Sequence, residues 1–228
     1  MVDYGATNLH ELLSAILENE INDASTVSLN SETVEPLQIV RDALLDEVAA
    51  KALIAPLHTP YYNPRVLFPF AILPPLNATV PRSDVRLRDV RLVTCLHDLR
   101  YKALPILHAL ENGNPFDLEK INDGRDYAVY YRDINTIVVL EGKHHIFAAK
   151  KLNLDVTLPH IPTFNLLDCG FHPTKKDGKL FWANTETDEL IWEADPRVAS
   201  VYTITALLLV RGNEVVNLVG GAQPPHTP

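Results

Sequence analysis

Residues 136–152 read Thr-Ile-Val-Val-Leu-Glu-Gly-Lys-His-His-Ile-Phe-Ala-Ala-Lys-Lys-Leu. A hydrophobic strand runs into an acidic residue, then a glycine, then polar residues that open a helix. Few folds accommodate so abrupt a change of period, and it commits the chain to mixing strands with helices. Glycine lets a backbone approach closely. The free N–H groups at a helix start, with the positive end of its dipole, attract phosphate. Lys143, His144 and His145 add donors there, and Glu141 is placed to orient an imidazole or accept a proton.

The segments on either side extend the pattern. Leu9, Leu12, Leu13, Ile16, Leu17 and Ile21 have helical spacing, with Thr7 or Asn8 as cap. Ile39 to Ala52 mark a second helix, with Thr33 as cap and Pro36 in its first turn. These predict a helical hairpin over 1–55. Over 56–83, recurrent prolines between Tyr61, Tyr62, Phe68 and Phe70 exclude a helix or a central strand, and predict an extended arm lying on the main domain. Over 84–164, strands are expected at Val85–Leu87, Val90–Thr94, Tyr127–Tyr131, Thr136–Leu140 and about 155–161, and helices at 99–110 and 144–152. Pro105 either kinks the first of these helices or marks its true first turn. Over 165–228, a β-rich extension is expected: one hairpin from Leu180–Asn184 and Leu190–Glu193, and a second from Val198–Val210 and Glu214–Val219 around Gly212.

Composition narrows the function. With 46% hydrophobic residues a core can form, and a formal charge of −9 repels nucleic-acid backbones at long range. Cys95 and Cys169 have no metal-ligand spacing and are expected as reduced thiols. The histidines outside 144–145 share no spacing, and no metal site is expected. No apolar run is long enough to span a membrane and no signal peptide is visible, so a cytoplasmic address is expected.

The 84–164 region resembles the ParB/sulfiredoxin superfamily. There a strand ends in an Asp/Glu-Gly step, followed by a His- or Arg-containing pair and an Ala-rich helix with Lys-Leu before the next strand. Glu141-Gly142, His144, Ala148, Ala149, Lys151-Leu152 and the strand near Val156 occupy those places. Glu111-Asn112-Gly113-Asn114-Pro115 matches the family's helix, glycine and proline-led strand. The resemblance implies a nucleotide (ATP, ADP or CTP, with Mg²⁺) held by Gly142, Lys143 and His144, with Glu141 or His145 assisting catalysis of hydrolysis or phosphotransfer. The family's second residue of the pair is usually an arginine, and here it is His145, which cannot form the same bidentate fork. Lys143 stands where sulfiredoxins carry their cysteine, so sulfinic-acid reduction is not implied.

Residues 170–196 resemble a WW domain in Gly170-Phe171, Asp177-Gly178-Lys179, Phe181-Trp182, Asn184, Thr187, Trp192 and Pro196. That resemblance implies a Pro-rich peptide bound by Trp182 and Trp192. An aromatic hairpin within the main β-structure accounts for the same residues. The expectation is therefore an α/β (α+β) nucleotide-binding protein. The alternative is a non-catalytic interaction protein that has lost nucleotide binding. It would hold a protein partner or a second copy through the N-terminal hairpin, or a peptide through the aromatic hairpin.

Overall fold

Alternate side chains along residues 137–140 enter opposite cores. Ile137 and Val139 pack with Ile146 and Ala149, while Val138 and Leu140 pack with Leu45, Val48 and Ala52. A segment covered on both faces needs no polar positions, which is why its sequence is apolar throughout. A computed structural model describes residues 9–21, 27, 29, 31–57, 68, 80–96, 102–117 and 127–219, with 31, 57 and 210–219 by backbone alone.

The fold is α/β. A five-stranded sheet comprises β1 (Arg82–Arg86), β2 (Arg91–Val93), β3 (Ala128–Tyr131), β4 (Thr136–Val139) and β5 (Thr157–Phe164), in the order β1-β5-β3-β4-β2. The β1–β5 and β3–β4 pairs are antiparallel, whereas β3–β5 and β2–β4 are parallel. A three-stranded antiparallel sheet follows, formed by β6 (Phe171–Lys176), β7 (Lys179–Asn184) and β8 (Leu190–Glu193). Asp177 and Gly178 both have positive φ, 51° and 76°, as the tight β6–β7 turn requires.

The helices are α1 (Leu9–Leu17), α2 (Ser31–Ile54), α3 (Leu104–Glu111), α4 (Lys143–Lys151) and α5 (Pro196–Val219). α4 covers one face of the larger sheet. On the other face, α2, the smaller sheet and α5 share a core that includes Leu45, Val129, Tyr131, Trp182 and Val201. A third cluster joins α1 and α2 to α5 through Leu12, Ile16, Leu37, Ile204 and Leu207. The apolar face of the N-terminal hairpin is thus covered by α5. Among the described residues no helix is long and apolar enough to cross a membrane.

Several expectations are corrected. The second hairpin, with Val198–Val210 and Glu214–Val219 as its strands, is instead the single helix α5. Asp195 caps it by accepting from the Arg197 N–H at 3.0 Å, and Pro196 occupies its first position. The Thr203 and Thr205 hydroxyls donate to carbonyls four residues back, so these β-formers are satisfied inside a helix, and the Ser200 hydroxyl shares its one proton between the Pro196 and Ile16 carbonyls. α2 begins at Ser31, which places both Thr33 and Pro36 inside it. Pro36 has no N–H to offer the carbonyl of exposed Glu32, four residues back. α1 stops at Leu17, short of Ile21, and Pro105 marks the first turn of α3. The arm expected over 56–83 lies outside the described residues, apart from its two ends and Phe68. That ring is fully buried and stacks on Tyr131 at 5.4 Å.

The β3–β4 turn is pinned from below. Both carboxylate oxygens of Asp133 accept from the Leu166 N–H, at 2.8 and 2.9 Å. Burial raises this carboxyl above its ordinary 3.8, while backbone N–H bonds from Leu166 and Leu167 pull it down. A raised folded pKa means that the folded state binds the proton more tightly. The associated stability is therefore complete below the unfolded value and is lost as pH rises through the folded one. Asp133→Asn keeps an acceptor and removes the titration. From the ordinary carboxylate range upward through mildly acidic pH, the wild-type urea midpoint is expected to fall relative to that of the variant. Parallel midpoints across that range would show that Asp133 does not titrate there.

Candidate functional site

β4 delivers the turn, and its end is fixed by one acceptor: the N–H groups of Leu140 and Glu141 both donate to the Tyr127 carbonyl, at 2.7 and 3.0 Å. The chain then reverses at Gly142, whose φ of 62° and ψ of 17° lie in the left-handed region. A side chain there would strain the turn, so the glycine is a conformational requirement. The Ile146 N–H closes the first helical bond onto the Gly142 carbonyl at 3.1 Å. No side chain caps α4. Ile146, Ala148 and Ala149 are buried and hold the helix down, which leaves Lys143, His144 and His145 at the half-exposed first turn.

These residues line a cavity of about 530 Å³ together with Glu141 and Gly142, and with Lys102, Pro105 and Ile106 from the start of α3. All five residues expected from sequence therefore come together: Glu141, Gly142, Lys143, His144 and His145. Because β2 and β4 run parallel, their carboxyl ends share one rim of the sheet, and the cavity sits at that rim between the starts of α3 and α4. Open α/β sheets place ligands at such rims. Lys102, Lys143, His144 and His145 face a single lining carboxylate, Glu141, so this is a basic patch on a chain of charge −9. Sequence reasoning did not include Lys102, Pro105 and Ile106. Their approach depends on the β2–β4 pairing, which leaves no local trace.

The aromatic hairpin is different. Trp182 is completely buried and meets Tyr202 of α5 edge-on at 5.9 Å. It presents no surface to a peptide, which corrects the peptide-binding expectation at that residue. Trp192 is half-buried and packs on Phe171 at 5.5 Å. The indole nitrogens of both tryptophans are buried without an acceptor among the described residues. Neither cysteine offers a nucleophile. Both are buried, and burial pushes the Cys169 thiol up to about 12 while its Sγ donates to the Leu166 carbonyl at 2.8 Å.

No protein-family model, curated protein or solved structure matches the chain.

Proposed function

We propose that the Glu141–His145 turn binds the phosphate groups of a nucleotide. The observation that supports this most is the coincidence, in one cavity at the carboxyl ends of a parallel strand pair, of a left-handed glycine, an uncapped helix start and four basic side chains. Backbone curvature lets an anion come close, and the dipole and side chains supply the charge. His144 and Lys143 contact phosphate. Lys102 closes from α3, and Pro105 and Ile106 offer an apolar edge for the base or sugar. Mg²⁺ prefers oxygen ligands and keeps several waters, so the one lining carboxylate fits an ion carried in on the phosphates. Glu141 is exposed, and with His145 it is the group placed to take a proton from an attacking water or hydroxyl. Hydrolysis or phosphotransfer is the chemistry that follows.

The test is thermal unfolding with ATP, ADP, CTP and GTP, each with and without Mg²⁺. At ~100 times its dissociation constant a ligand adds about 2.7 kcal/mol. For a chain of this size that is a rise of roughly 5–10 °C in Tm. The rise is expected for at least one nucleotide and is expected to vanish in the Lys143→Ala/His144→Ala double variant, whose own Tm should be nearly unchanged because both side chains are half-exposed. No shift with any nucleotide at millimolar concentration would leave the non-catalytic interaction role as the better account of the fold.

A further inference from the structure

A larger cleft, about 670 Å³, lies away from the glycine turn, along the edge of β2, where no further strand pairs among the described residues. One wall is a single face of α2, formed by Asp46, Ala49, Ala50 and Leu53. The other is a single face of α4, formed by Phe147, Lys150 and Lys151. The two helices lie on opposite faces of the sheet, so the floor between them is the strand edge, with Arg91, Leu92 and Thr94 lining it. The Arg91 N–H donates to Asn135 on the β4 side at 2.9 Å. In a parallel ladder that phase turns the N–H and C=O of the next residue, Leu92, outward into the cleft. Thr94, just past the end of β2, is 2% exposed, and its buried hydroxyl has no hydrogen-bond partner among the described residues.

The charges in the cleft are mostly committed. Arg91 Nε meets Asp46 at 2.6 Å, Asp89 lies beside Arg86 and Arg88, and the Lys150 ammonium is held by three backbone carbonyls. Lys151 remains, exposed and without an ion pair among the described residues.

We propose that this cleft is a second binding site that takes a short extended peptide as an added strand on β2. The peptide main chain pairs with the Leu92 N–H and C=O. Small apolar side chains at alternate positions enter between Ala49, Ala50 and Leu53 on one side and Phe147 on the other, and a carboxylate meets Lys151. The volume is within the roughly 300–1,000 Å³ of sites that enclose a small ligand, and main-chain pairing with alternating side-chain pockets is the way sheet edges recognise peptides.

The probe is an arrayed set of capped pentapeptides with valine or alanine at alternate positions and one glutamate, with a matched lysine set as control. Binding is read by amide hydrogen exchange on the full chain. A glutamate peptide is expected to slow exchange at Leu92 by about tenfold or more, with little change at Arg91, which is already bonded in the ladder. Lys151→Glu should weaken binding about tenfold and reverse the preference toward the lysine set. Ala50→Trp should abolish it by filling the cleft. Both substitutions are at exposed positions, so folding is preserved. Three results would overturn the proposal: no peptide protecting Leu92 at millimolar concentration, protection that survives Ala50→Trp, or octanoate occupying the cleft when no peptide does. None of these outcomes bears on the nucleotide test, which concerns a different cavity.

Discussion

Trp182→Ala is expected to remove about 3–5 kcal/mol of stability, the usual result of truncating a large aromatic in a core. Trp182 has no exposed surface, lies opposite Pro173 and Trp192 in the small sheet, and shares a cluster with Leu45 of α2, Tyr131 of β3 and Val201 of α5. The resulting cavity would lie between β6, β8 and Tyr202 of α5, which belong to separate elements and cannot collapse together. Trp182→Phe separates volume from polarity. The indole nitrogen has no acceptor among the described residues, so removing it sacrifices no hydrogen bond shown there and relieves an unsatisfied donor. The phenylalanine variant should therefore retain most of the stability that alanine loses. Urea unfolding followed by far-UV circular dichroism measures both. A loss under 1 kcal/mol for alanine would mean that the small sheet is not part of the main core. A single coincident transition in the wild type is the companion expectation, because one cluster crosses the boundaries expected near residues 55 and 165.

The second large effect belongs to Lys150. Its ammonium donates to the carbonyls of Leu87 at 2.9 Å, Arg88 at 2.9 Å and Val90 at 2.8 Å, tying α4 to the turn between β1 and β2. All three donors are used. Lys150→Met preserves the stem but removes these charge-assisted bonds and leaves the carbonyls to whatever water can reach them. A loss of about 3 kcal/mol is expected. Lys150→Arg should not restore it, because a planar guanidinium cannot converge on three carbonyls around one point. The urea midpoints of the two variants test this, and a fully stable Arg variant would show that charge alone suffices. Lys151, one residue on, is exposed and should tolerate either change.

Much of the centre was legible because its signals are local. The apolar run at 136–140, the glycine at 142 and the Ala-rich stretch after it impose strand, turn and helix in that order, and β4, Gly142 and α4 occupy those positions. The β7–β8 hairpin was likewise written in its alternation and polar turn. α5 reads as strands in the sequence because Val198, Val201, Thr203, Ile204 and Thr205 are β-branched and Gly212 resembles a turn residue. The contrary signal was present in Asp195-Pro196, an N-cap followed by a first-turn proline. At the candidate site the five residues of the turn were contiguous and could be named. Lys102, Pro105 and Ile106 reach the same cavity only because β2 lies parallel to β4, and no neighbour in the sequence encodes that pairing.

The position of α5 has a consequence during synthesis. Ser200 donates to the Ile16 carbonyl across 184 residues, and Lys51 bonds Asp195 across 144. The first two helices therefore emerge from the ribosome long before the helix that covers them. Until then Leu12, Ile16 and Leu37 lack the Ile204 and Leu207 side chains that complete their cluster. Closing so large a loop carries its entropic cost late. The nascent chain thus passes through a prolonged interval with apolar helical surface uncovered, when a holdase chaperone would have the most to bind.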